Sequence, residues 1–105
     1  MNSWLILFFA GLFEVSWAVG LKFTQGFTKV LPSILTIAGM IFSFIFLSIA
    51  LKKLPLSVAY AVWTGIGIAG TSILGVIVFQ EALSISKIIF VGFIVIGIIG
   101  LRLNQ

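Results

Sequence analysis

Cysteine and histidine are both absent from this 105-residue sequence, and charged residues are scarce. Without cysteine the chain has no disulfide, no thiolate metal ligand and no thiol nucleophile. Without histidine it also lacks the commonest metal ligand and general base. We therefore expect no metal site, no cofactor and no enzymatic activity.

Charge is the second shortage. Only 8% of the residues are charged, against about a quarter in soluble domains, which is too few to cover a water-facing surface. A soluble globular enzyme is thereby excluded. The pI is near 10, but it arises from six basic and two acidic residues that form no basic run or stripe, so we expect no nucleic-acid partner.

Long apolar segments take the place of charge. The chain is 62% hydrophobic with a mean hydropathy of +1.39, and a membrane helix needs about 20 mostly apolar residues. Because a backbone in lipid must satisfy its own hydrogen bonds, such segments are expected to be helices. The sequence predicts an all-α membrane protein, one four-helix transmembrane domain over residues 1–105, with spans at 3–21, 32–51, 56–79 and 85–103.

The basic residues of the loops are balanced between the two membrane faces. Four spans put both termini on one side, and each side then holds three basic residues: Lys22, Lys29 and Lys87 against Lys52, Lys53 and Arg102. An excess of lysine and arginine in the loops of one side sets the orientation of a membrane protein. Because neither side has such an excess here, we expect insertion in both orientations. Two copies then pair antiparallel, with the symmetry of an inverted repeat. The alternative is a single orientation, fixed by one or two of these charges.

Glu14 is an acid in the middle of the first span. An ionised acid at that depth costs a few kcal/mol, and such residues usually face a polar cavity and serve function. Gly11 on the same helical face leaves room for a helix or a solute, while Trp17 offers an indole N–H and a π-face. The alternatives are a protonated Glu14 bonded to a backbone carbonyl, and Trp17 as core packing.

The second and third spans add polar groups at helical spacing. Tyr60, Trp63 and Gly67 share one face, and Ser43 lies in the second span. A buried tyrosine O–H or tryptophan N–H needs a partner, and Glu14 is the obvious strong acceptor. Ser43 could instead bond to its own helix. Aromatic faces with a carboxylate suit an organic cation, and a guanidinium suits a carboxylate because two N–H groups can bond its two oxygens.

Glycines form two further patterns. Residues 65–70 match G-x-G-x-x-G, but a dinucleotide site needs a preceding strand and a βαβ unit, which an apolar span excludes. We interpret Gly65 and Gly67 as a conformational hinge, with close helix packing as the alternative. Three more glycines flatten one side of the fourth span and predict a packing or dimerisation helix: Gly92, Gly97 and Gly100.

Taken together, these segments resemble the small multidrug resistance family. The resemblance covers nearly the whole chain and rests on the lone Glu14, on KFTQGFT at 22–28 and on AYAVWTGIG at 59–67. The stretch GLFEVSWA at 11–18 resembles the guanidinium-exporter branch, because the multidrug branch usually lacks a tryptophan at the position of Trp17.

The resemblance implies an antiparallel dual-topology homodimer that exports small organic cations against protons across the bacterial plasma membrane. Glu14 would bind proton or substrate in turn, held by hydrogen bonds from Ser43, Trp63 and Trp17, with Tyr60 lining the pathway. The bend would lie at the glycines of the third span, and the fourth span would form much of the dimer contact.

Other functions stay open on sequence grounds. A multidrug exporter of quaternary ammonium ions would share every site residue, and some relatives work as heterodimers of two chains. From other classes, the chain could be an assembly subunit whose Glu14 pairs with a basic residue of a partner, or a channel.

Overall fold

The computed structural model describes residues 2–104, which form four helices and no strand within that range. Each helix is long and apolar enough to cross a membrane, which confirms the predicted all-helical, multi-pass membrane class. The helices are α1 (Ser3–Phe23), α2 (Val30–Ala50), α3 (Leu56–Val78) and α4 (Ile85–Leu103).

The helix bounds depart from the predicted spans by one or two residues at some ends. α2 begins at Val30, so Pro32 lies within its first turn, where the missing N–H of a proline has no helical acceptor to lose. α1 continues through Phe23, whose ring packs 5.3 Å from that of Phe79. Apolar periodicity does not resolve such ends, because contacts outside the helix decide them.

Thr24 organises the turn between α1 and α2. Its buried hydroxyl donates to the carbonyl of Leu21 at 2.7 Å and accepts the N–H of Phe27 at 3.2 Å. The turn also needs left-handed backbone at Gln25, Gly26 and Phe27, and only the glycine adopts that conformation freely. The connection between α1 and α2 is therefore a well-defined turn at this end of the bundle.

Small residues let α1 pack closely against both of its neighbours. Gly39 of α2 lies against Trp17, where an added Cβ would stand 3.3 Å from the tryptophan Cβ. Gly70 of α3 lies against Val15 of α1. Without a hydrophobic force between helices in lipid, such van der Waals contacts hold the bundle together.

α4 packs mainly on α3 and has no buried residue. Its contact includes Ile98 against Gly65 of α3. The three glycines predicted to pack a dimer have no other part of the described chain within 4 Å of an added Cβ: Gly92, Gly97 and Gly100. Their role in a dimer, and the antiparallel dimer itself, stay predictions.

Each end of the bundle has a cation over an aromatic ring. The Lys22 ammonium lies 5.1 Å from the centroid of the Phe79 ring, which joins α1 to the end of α3. At the opposite end the Arg102 guanidinium lies 4.9 Å from the Trp4 ring and joins α4 to α1. Such contacts stabilise by about 0.5–1 kcal/mol where exposed, so they fix the helix ends weakly.

Gly70→Ala is expected to destabilise the contact between α1 and α3. The new methyl group would overlap the Val15 side chain, and overpacking of this kind costs about 1–3 kcal/mol. Thermal unfolding in detergent measures the loss.

Gly92→Ala is the matched control, because the same methyl group meets nothing of the described chain within 4 Å. Any loss through a dimer contact at Gly92 would depend on protein concentration, whereas the loss at Gly70 would not. Equal, concentration-independent stabilities of the two variants would contradict the packing described here.

Candidate functional site

Ser43 joins three helices in the interior of the bundle. The side chain of this residue is fully buried. Its hydroxyl donates to the Ala10 carbonyl of α1 at 2.8 Å and accepts the Trp63 indole N–H of α3 at 2.9 Å. A serine in a span often bonds to its own helix instead, so these bonds between helices fix the relative positions of α1, α2 and α3.

Glu14 lies one helical turn beyond Ala10 on α1. Its carboxylate packs against Gly67 of α3, where any Cβ would overlap the Oε1 and Cδ atoms. Gly67 therefore provides the space that the carboxylate occupies. The Glu14 Oε1 atom is buried and has no hydrogen-bond partner in residues 2–104.

Trp17 presents a second unsatisfied polar group one turn further along α1. Its indole Nε1 is buried and likewise has no hydrogen-bond partner within the described residues. The ring packs edge-on against Phe44, at 6.2 Å between centroids. An open acceptor and an open donor thus lie on one side of α1, and buried polar groups without partners are rare in native proteins.

The hydrogen bonds differ from those implied by the family resemblance. Ser43 and Trp63 bond each other and the α1 backbone rather than Glu14, and the Trp17 N–H bonds no group of residues 2–104. The physical reason is the acceptor available at Ser43, which is the Ala10 carbonyl one turn before Glu14. The polar groups on the α1 side of the site therefore divide into a satisfied network around Ser43 and two open groups, Glu14 and Trp17.

Aromatic rings extend the site towards the bundle surface. Tyr60 is 55% exposed and packs on Trp63 at 5.6 Å between ring centroids. Phe44 lies 5.9 Å from Trp63 and so contacts both tryptophans. Sequence reasoning missed Phe44, because one phenylalanine among many in an apolar span carries no signal beyond its position next to Ser43.

The glycines predicted for the site serve different contacts. Gly11 is buried against Ile66 of α3, so in the described chain it brings two helices together beside Glu14. Gly65 lies against α4 and Gly67 lies under Glu14. α3 is helical through both glycines, so their role as a hinge stays a prediction.

Glu14 forms no ion pair within residues 2–104. The ion pair found in residues 2–104 joins Lys87, in the first turn of α4, to Glu81 of the loop between α3 and α4. Within the same residues no three histidine, cysteine, aspartate or glutamate side chains are grouped to hold a metal. Chemically, the carboxylate can bind one cation or proton, and the aromatic rings of Trp17, Phe44 and Trp63 lie on the helices around it.

Comparisons with known proteins find relatives over nearly the whole chain. A family model described as Small Multidrug Resistance protein matches residues 2–94. A protein of Proteus vulgaris named guanidinium exporter is 57% identical over 101 residues, covering 96% of this chain and 97% of that protein. A guanidinium exporter of Citrobacter freundii is 53% identical and one of Salmonella typhimurium 52%, each with 97% of both chains covered.

Ser43→Ala is expected to destabilise the bundle. The Trp63 N–H would stay buried and unpaired, which costs about 1–3 kcal/mol. Combined with Trp63→Phe, the loss should be smaller than the sum of the two single losses, because the second substitution removes the orphaned donor. Unfolding free energies of the single and double variants in detergent measure both effects.

Ser33→Ala is the matched control on α2. It makes the same chemical change at an exposed hydroxyl bonded to the Lys29 carbonyl of its own chain segment, so a small effect is expected. Equal losses for Ser33→Ala and Ser43→Ala would contradict the central role of the Ser43 network.

Proposed function

The chain belongs to the small multidrug resistance family, and from this premise we propose that it exports guanidinium and related small organic cations in exchange for protons. The observation that carries the proposal is the buried Glu14 Oε1 atom, which has no partner in the described chain. The names of the relatives, guanidinium exporter in each case, support this substrate class.

A guanidinium ion matches the open acceptor of the site, the Glu14 Oε1 atom. It is planar, stays charged at any physiological pH and can donate two N–H groups to one carboxylate. The aromatic faces of Trp17 and Trp63 favour a cation beside them. Gly67 has no side chain to compete with the carboxylate for the space on its α3 side.

Exchange with protons follows from competition for one carboxylate. Because a guanidinium ion cannot leave by losing its proton, it has to be displaced. A proton arriving from outside neutralises Glu14 and releases the cation, and loss of that proton inside regenerates the site. Each Glu14 holds one positively charged ligand at a time, so import of protons drives export of the cation.

We propose that the working unit is an antiparallel homodimer in the bacterial plasma membrane. Balanced loop charges support insertion in both orientations, and the three outward glycines of α4 leave room for a second helix to approach. The two Glu14 side chains would then share one pathway. A bend at Gly65 and Gly67 would move the α3 surface on which Glu14 rests and alternate the access.

Glu14→Gln should abolish gradient-driven uptake of labelled guanidinium into proteoliposomes, to the level of protein-free vesicles, because a neutral amide neither takes up a proton at physiological pH nor balances the charge of a cation. Glu14→Asp is the matched control. It keeps the carboxylate and should keep exchange with a displaced pH optimum. Uptake by Glu14→Gln at the wild-type rate would refute the mechanism.

Guanidinium binding should weaken as the pH falls, because protons then occupy the carboxylate. Competition with one proton raises the Kd by at most about tenfold per pH unit in the acidic range. Titration calorimetry of the detergent-solubilised protein across pH checks this, and a Kd independent of pH would contradict proton competition. Displacement of bound guanidinium by tetraphenylphosphonium would instead favour a multidrug exporter.

A further inference from the structure

The side chains of both acidic residues of the protein contact glycines of α3. The Glu14 carboxylate packs against Gly67 of α3, and the Glu81 carboxylate packs against Gly75, where an added Cβ would stand 2.8 Å from the Glu81 Cδ. Eight residues of helix separate the two glycines by about 12 Å along the axis, within a sector of about 80°. One side of α3 therefore runs from the buried acid to the acid at the loop end.

The backbone of the loop holds Glu81 in this position. The chain reverses at Gln80, which has a left-handed φ of 54°, and the Glu81 N–H donates to the Gly75 carbonyl at 3.0 Å. The loop folds back over the last turns of α3, so the Glu81 side chain points along the helix rather than away from it.

The electrostatics of this position are unfavourable without a cation. The C-terminal end of a helix carries partial negative charge and repels a carboxylate. The Lys87 ammonium offsets that repulsion from 3.4 Å, with both side chains partly exposed, at 34% and 43% for Lys87 and Glu81. An exposed ion pair contributes little, at most about 1 kcal/mol, so another cation can replace Lys87 easily.

Hydroxyl groups follow the same side of α3 between the two acids and beyond. Thr71 lies midway between Gly67 and Gly75, and its hydroxyl donates to the Gly67 carbonyl at 2.7 Å, which leaves its lone pairs free to accept. Thr64, one turn before Gly67, has a buried hydroxyl with no partner in residues 2–104. On this side of α3, one hydroxyl thus lies between the two acids and a second lies one turn beyond Glu14.

From this arrangement we propose that Glu81 is an outer binding residue for the transported cation. An arriving guanidinium ion displaces Lys87 from the Glu81 carboxylate and then moves along α3 past Thr71 to Glu14. This inference rests on the proposed export of guanidinium. In an antiparallel pair, each membrane face would carry one Glu81 at the entrance of the pathway.

Initial rates of guanidinium uptake into proteoliposomes, measured against concentration, test the inference with Glu81→Gln. At low ionic strength we expect a KM raised about three- to tenfold with little change in kcat, because the outer carboxylate concentrates cations at the entrance. In 0.5 M salt the difference from wild type should shrink, because the Debye length falls to a few ångströms. The equilibrium Kd for guanidinium in detergent should stay at the wild-type value.

Lys87→Gln is the matched variant that breaks the same ion pair from the other side. It frees the Glu81 carboxylate, so the KM should stay at or fall below the wild-type value. Equal increases of KM in both variants would mean that the ion pair acts only structurally and would overturn the inference. The inference would also be overturned if Glu81→Gln had the wild-type KM or a changed equilibrium Kd. Absence of guanidinium uptake by wild type would instead refute the proposed function itself.

Discussion

A carboxylate oxygen buried among apolar helices without a partner is the constraint on which the rest of the structure depends. An acid in that environment is tolerated only when a ligand or proton completes it, and the described chain supplies neither to the Glu14 Oε1 atom. On the α3 side, Gly67 makes room for the carboxylate without offering it a side-chain hydrogen bond.

The satisfied network beside Glu14 explains how such an open group can persist. Ser43 binds Ala10 and Trp63 at once, so three helices are positioned one turn away from the acid without using any of its bonding capacity. A fold that drew Ser43 or Trp63 into bonds with Glu14 would gain stability and lose an empty acceptor. The division between bonded and open polar groups is therefore the feature on which the proposed exchange of one positive ligand for another rests.

Much of this arrangement could be predicted from the sequence, and the reasons differ between its parts. Four apolar segments predict four helices because the thickness of a bilayer fixes their length, and Glu14 is evident because an acid in a span is costly. The partner of Ser43 could not be predicted, because the Ala10 carbonyl is a backbone group that carries no sequence signal. The position of Glu81 depends on a left-handed residue at Gln80, where glycine is the usual occupant.

The distribution of packing within the chain bears on how a single polypeptide could be part of a larger unit. α1, α2 and α3 are joined by buried hydrogen bonds and close glycine contacts, whereas α4 packs mainly on α3 and buries no residue. In lipid no hydrophobic effect drives helices together, so helix association is stabilised mainly where small residues let two backbones approach closely. On α4 those positions are Gly92, Gly97 and Gly100, which meet nothing in the described chain. α4, which has the fewest contacts within one copy, is thus the helix best suited to pack against a second copy. Glu14, in contrast, lies on α1, which packs against both α2 and α3.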